Sequence, residues 1–248
     1  MLADDLRGIW AITLKDLRAY YFKPPNISWG ILFPFAFVLA FVAREGLSHD
    51  PDGLESLVPG LLALTLLFGT TSMEAIVITF ERRVGALERL LLAPLRLPAL
   101  LAGKVVGGML FGLATTAVIG LLSLLLFGAA DVRWLLLVVA LLVSAAAFCA
   151  LGALISAGVS EVFEAQTLAN AFRFPMIFLG GVFVPLETLP VWLQVVARAL
   201  PLTYAVEALR AGFGQAPPGR AWLDLAVLAT FTIVFFVLAA RTLAKKVG

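Results

Sequence analysis

Residues 134–157 hold no ionisable side chain except the thiol of Cys149. Such a run is long enough to cross a bilayer as one helix, which takes about 20 residues. Comparable apolar runs read at 27–43, 57–80, 99–127, 165–184 and 222–240. A backbone inside lipid has to satisfy its own hydrogen bonds, so segments of this kind fold as helices. The pattern predicts an all-α integral membrane protein with six transmembrane helices. Composition agrees: 62% of residues are hydrophobic, 14% are charged and the mean hydropathy is +1.03. A soluble domain stands nearer about half apolar and about a quarter charged. Six spans in 248 residues leave no room for a large soluble domain, so residues 1–248 read as one transmembrane domain.

The connecting segments are as informative as the spans. Over residues 4–22, Leu6, Ile9, Trp10, Thr13, Leu14, Leu17 and Tyr21 fall at helical spacing, with Arg7, Lys15, Asp16 and Arg18 elsewhere. That pattern reads as an interfacial helix lying on the bilayer. The densest run of charge is 81–93, between the second and third spans. At about 100° per residue, Val84, Leu87, Leu90 and Leu91 share one side of a helix, and Glu81, Arg82, Glu88 and Arg89 cluster on the other. Pro94 ends it, because the residue before a proline disfavours the helical conformation. No opposite charges there stand three or four residues apart, so the charges read as free for lipid headgroups or a soluble partner. A plain solvated turn is the alternative.

Residues 185–219 are neither a full span nor a polar loop. Thr188-Leu189-Pro190 reads as a helix start, and Pro201 as a break. Thr203 is a candidate cap for a second short helix ending at Gly212, and Pro217-Pro218-Gly219 closes the segment. Two half-length helices between spans read as a re-entrant hairpin. Gly180 and Gly181, just before it, permit unusual backbone geometry.

Lysine and arginine concentrate in the segments assigned to one side, among them Arg82, Arg83, Arg89, Arg96, Lys245 and Lys246. The opposite side holds Arg44, Arg133, Arg198, Arg210 and Arg220. The bias places both termini in the cytoplasm. A net charge of +2 does not suggest a nucleic-acid partner. One cysteine and one histidine, His49, exclude a disulfide and a Cys- or His-rich metal site. The only Gly-Lys pair, Gly103-Lys104, has Pro98 where a phosphate-binding loop needs its first glycine. Nothing reads as a catalytic or cofactor site, and no cleavable signal is read at the start.

Three charges fall within the bilayer limits: Glu74, Lys104 and Arg173. Such groups face a partner or a water-filled route. A Glu74–Lys104 or Glu74–Arg173 pair could fix helix register, or the same residues could line a translocation route. Lys104 could also snorkel to the interface. Gly103, Gly107, Gly108, Gly112, Thr116 and Gly120 form a stripe of small residues that suits close helix packing.

Several segments together resemble the membrane subunit of a type-2 ABC exporter, a family that includes drug-resistance permeases and exporters of O-antigen and teichoic-acid polymers. They are Lys15-Asp16-Leu17-Arg18, residues 81–88 (Glu-Arg-Arg-Val-Gly-Ala-Leu-Glu) and 92–96 (Leu-Ala-Pro-Leu-Arg) with Lys104. The most specific are Phe178-Leu179-Gly180-Gly181-Val182-Phe183-Val184-Pro185, Leu189-Pro190 and Pro201-Leu202-Thr203-Tyr204. The resemblance implies six spans and a dimer of permeases meeting through the first and fifth spans. It implies two separate cytosolic ATPase subunits that hold ATP and magnesium, so this chain needs no catalytic residue or cofactor of its own. It makes 84–92 the coupling helix, with Glu81, Arg82, Val84, Leu87, Glu88, Arg89 and Leu91 as coupling residues. It makes 185–212 the external half-helices, with Gly180, Gly181, Pro185, Pro190, Pro201 and Tyr204 at the gate. The implied cargo is an amphiphilic drug, a lipid or a lipid-linked glycan. Two other readings stay open: a gradient-driven carrier using Glu74, and a membrane scaffold.

Overall fold

The computed structural model describes residues 2–21, 36, 39, 51–92, 95–127, 132–183 and 186–247. These are helical nearly throughout. Helix α1, Leu2–Asp16, runs into a π-helical turn, Leu17–Tyr21. Helix α2 is Pro51–Arg83, α3 Ala86–Leu91, α4 Leu97–Phe127, α5 Trp134–Gly158 and α6 Val162–Leu179. A 3₁₀ turn, Leu186–Thr188, precedes the short helices α7, Val191–Ala197, and α8, Pro201–Gly212. The long helix α9, Pro218–Val247, closes the order.

Four helices among the described residues are long and apolar enough to cross a membrane: α2, α4, α5 and α9. They correspond to the expected spans at 57–80, 99–127, 134–157 and 222–240. The expected first span, 27–43, lies outside the described residues but for 36 and 39. The expected fifth span is α6, an 18-residue helix that carries Glu164 and Arg173. Its polar content separates it from the other four.

Helix α5 is the hub. It packs against α9, α2, α8 and α4, and small residues line its buried face: Ala140, Ser144, Ala145, Ala147 and Gly152. The glycine stripe on α4 has two uses. Gly108 and Gly112 face α2, and a Cβ on Gly112 would stand 2.1 Å from Thr70 Cγ2. Gly103 and Gly107 face α1, where a Cβ on Gly103 would meet the Ile9 carbonyl at 2.9 Å. Close approach of three helices is therefore written into one stretch of α4.

Three local expectations are corrected. Thr203 does not cap α8: Leu200 is the N-cap, and Thr203 Oγ1 donates to the Ala197 carbonyl at 2.6 Å. Pro218 opens α9 rather than ending a segment, because a proline suits the first turn of a helix, where an N–H would go unused. Residues 81–93 are not one helix. Glu81, Arg82 and Arg83 form the last turn of α2, and the chain breaks at Val84 and Gly85 before α3. Gly85 makes that break with φ 68°, a left-handed conformation open to glycine at little cost.

Candidate functional site

One end of the bundle is tied by a buried cluster of charge. Lys104, on the third turn of α4, is fully buried. Its ammonium pairs with Glu81 at the end of α2 and with Asp16 of α1, the latter at 3.1 Å. Lys15 adds a second cation, 2.5 Å from Glu81 Oε1 and 2.7 Å from Asp16 Oδ1. Two ammonium groups thus face two carboxylates across α1, α2 and α4. Burial opposes the charge of Lys15, but hydrogen bonds and attraction from Asp16 and Glu81 outweigh it and raise its pKa above the usual 10.5. Thr13 of α1 donates to the Gly103 carbonyl at 2.8 Å, which the missing side chain of Gly103 allows.

This overturns three expectations. Lys104 does not snorkel, because two carboxylates hold it inside. Asp16 is not on an outward face of α1 but buried against Lys104. Glu81 belongs to the cluster and is not free for a partner. The sequence signal for Asp16 was indirect: a lysine on the third turn of an apolar helix needs an anion within reach.

Glu74 pairs with neither Lys104 nor Arg173. Its Oε2 accepts from the Tyr21 hydroxyl at 2.8 Å, and Tyr21 stacks on Phe111 with ring centroids 5.6 Å apart. The other oxygen, Oε1, has no hydrogen-bond partner among the described residues. Arg173 is tied to α2 by different means. Its Nη1 donates to Ser72 Oγ at 2.5 Å, its Nε donates to the Ala169 carbonyl at 3.1 Å, and its guanidinium lies 4.6 Å from the centre of the Phe68 ring. The three charges expected inside the bilayer therefore have three separate sets of direct partners.

Beyond the cluster, the break at Gly85 sorts the remaining charges. Arg82 donates to the Val159 carbonyl and Arg83 pairs with Glu161, so both are spent on the α5–α6 connection. Lys246, from the end of α9, also reaches the Val159 carbonyl, at 3.4 Å. In α3, Leu87 is fully buried in an apolar cluster that includes Leu100 and Leu101, and Leu90 packs against that cluster. Glu88, Arg89 and the apolar side chains of Val84 and Leu92 face outward, Leu92 being 87% exposed. Val84 thus leaves the apolar side expected for it, because it stands in the turn and not on α3. Arg89 Nε donates to the Gly85 carbonyl at 3.1 Å, bracing the turn. Leu91 is the last residue of α3.

At the far end, Pro190 is the N-cap of α7 and Pro201 the first residue of α8. The Tyr204 hydroxyl donates to the Arg198 carbonyl at 2.6 Å, holding the two short helices together. Gly180 approaches the Met176 carbonyl and Leu202, and Gly181 adopts φ 77°. Arg210 of α8 donates to the Gly181 carbonyl at 2.9 Å. Pro185 lies outside the described residues. No group of three or more His, Cys, Asp or Glu side chains among the described residues could hold a metal ion.

Several membrane-length helices locked by charge at one end, with a short amphipathic helix set off by a glycine break, define a multi-pass membrane protein. The chain belongs to the ABC-2 type transporter family, whose model matches residues 7–213. It is 25% identical over 240 residues to the inner membrane transport permease YadH of Escherichia coli strain K12, covering 94% of this chain and 92% of that one. It is 28% identical over 243 residues to the daunorubicin resistance ABC transporter permease protein DrrB1 of Streptomyces coeruleorubidus, covering 94% and 84%. A shorter match, 31% over 120 residues, is to nodulation protein J of Rhizobium leguminosarum bv. viciae, covering 46% and 45%.

Proposed function

We propose that the chain is the membrane subunit of an ATP-driven exporter, working as a dimer with two separate ATPase subunits that carry ATP and magnesium. The observation that carries this reading is the outward face of α3. Glu81, Arg82 and Arg83 are engaged inside the chain, whereas Glu88, Arg89, Val84 and Leu92 are not covered by it. A short helix with a charged and apolar outer face, rooted through Leu87 in the bundle, suits a groove on a soluble partner. Motion of α3 would reach α2 across a single turn, and α1 and α4 through the Lys104 cluster.

The protein would sit in the inner membrane with both termini cytoplasmic, cross it six times, and close its external end with α7 and α8 as a re-entrant hairpin. Phe172, Phe174 and Phe178 of α6 are uncovered in the single chain and suit contact with a second copy. The name of the daunorubicin-resistance relative favours an amphiphilic cargo over a long polymer. The test is Glu88→Arg with Arg89→Glu in the complex with its ATPase. ATP hydrolysis should continue while transport falls by an order of magnitude or more, about 1.4 kcal/mol of coupling per factor of ten. Normal coupling in the double variant would remove α3 from its role. Glu74 Oε1, without a partner among the described residues, supports one other reading, a gradient-driven carrier, which requires Glu74→Gln to abolish transport without any ATPase present.

A further inference from the structure

At the end of the bundle away from the Lys104 cluster, α8, the start of α9 and the Gly180–Gly181 turn enclose a cavity of about 360 Å³. Along α9, Asp224 stands about 33 Å from Lys246 at ~1.5 Å per residue. Three carboxylates line the cavity, Glu187, Glu207 and Asp224, against two guanidiniums, Arg210 and Arg220. Neither guanidinium closes on Asp224 in a salt bridge. Arg210 is drawn onto the Gly181 carbonyl, and Arg220 is 64% exposed and meets Glu207 only at 3.9 Å. Asp224 is 2% exposed, and its Oδ1 has no hydrogen-bond partner among the described residues. The Glu207 carboxyl stands within hydrogen-bonding reach of it and repels its charge, while Arg220 attracts it.

We propose that this cavity binds a primary ammonium group carried on a small apolar body, with Asp224 and Glu207 as its anionic partners. A buried carboxylate oxygen without a donor is costly, and an ammonium offers three N–H donors and no acceptor to mismatch. The cavity is about ten times the ~30 Å³ share of one water, so water alone does not define what it fits. Leu186, Val206, Ala211 and Ala221 supply an apolar wall for the adjoining carbons. A bare metal ion fits poorly, since calcium takes about six to eight oxygens and no suitable cluster is present among the described residues. An anion is disfavoured by the excess of carboxylates. The ammonium could arrive on an aminophospholipid headgroup or on a freely diffusing amphiphilic amine.

The experiment is calorimetric titration of hexylammonium into the full-length chain in phosphatidylcholine nanodiscs, whose lipid carries no primary amine, with empty nanodiscs as the blank. No ATPase takes part, so the result stands apart from the exporter reading. Saturable binding is expected, with hexanol showing only partitioning and hexyltrimethylammonium binding about tenfold more weakly for want of N–H donors. Asp224→Asn should weaken hexylammonium by about tenfold or more, and Glu207→Gln by several-fold. The unfolding midpoint reports whether each variant is folded; if Asp224→Asn is not, Glu207→Gln decides. Equal binding of hexylammonium and hexanol, or unchanged affinity in the folded variants, overturns the proposal. In nanodiscs containing phosphatidylethanolamine, a weaker apparent affinity identifies the lipid headgroup as occupant, and an unchanged one identifies a soluble amine.

Discussion

The two ends of this bundle treat buried charge in opposite ways. At the Lys104 end, two cations and two anions neutralise one another across three helices. At the Asp224 end, a buried carboxylate oxygen has no donor among the described residues, and Arg220 is shared with Glu207. Both arrangements cost desolvation. Only the first returns it as attraction within the chain. A charge cluster that closes on itself acts as a fastener, while one left open has capacity for something outside the chain.

The comparison is broken most severely by Lys104→Met, which keeps the length and removes the charge. Asp16 and Glu81 then face each other with only the half-exposed Lys15 between them. Breaking a buried pair by removing one partner costs about 3–5 kcal/mol. A fall of that size in unfolding free energy is expected, and Lys104→Arg should recover part of it. At the other end the sign reverses. Asp224→Asn removes a buried charge that Glu207 repels, so stability should hold or rise. Equal losses in both variants would show that the two ends do not differ.

Tyr21→Phe probes an intermediate case. It takes the only hydrogen bond from Glu74 recorded among the described residues while leaving the ring stacked on Phe111. An intramolecular hydrogen bond contributes about 0.5–1.5 kcal/mol net, so a loss of about 1 kcal/mol is expected by thermal unfolding. A variant as stable as the parent would mean that Glu74 finds another donor.

Much of this was legible in the sequence because hydropathy in a membrane protein is a strong local signal. The helices at 57–80, 99–127, 134–157 and 222–240 follow from length and apolarity, and the breaks at Pro190 and Pro201 from proline chemistry. What periodicity could not supply was pairing between distant segments. Asp16 and Lys104 are 88 positions apart, and a helical wheel of α1 alone puts Asp16 among the outward polar residues. The wheel for 81–93 failed for a different reason. It assumed one continuous helix, whereas Gly85 turns the chain and puts Glu81 and Glu88 on separate elements. Asp224 was invisible for a third reason: it sits at the mouth of an apolar span, where a single acid draws no attention until the fold surrounds it.

The smallest expected effect lies between the two ends in kind, where charge is answered by backbone instead of by another charge. Glu164, in the first turn of α6, accepts from the amides of Ser160 at 3.1 Å and Glu161 at 3.2 Å. Those two bonds hold its pKa below the ordinary 4.5. A carboxylate with a depressed folded-state pKa stabilises the fold fully above its unfolded value and loses that contribution as pH falls through the folded one. The window therefore opens near pH 4.5 and extends downward. Glu164→Gln should lower the unfolding midpoint slightly at neutral pH and flatten its decline in acid, measured between about pH 6 and pH 3. Because the group is exposed, the change should be far smaller than that of Lys104→Met. A comparable change would mean that the turn between α5 and α6, which also receives Arg82, Arg83 and Lys246, is as much a fastener as the buried cluster beside it.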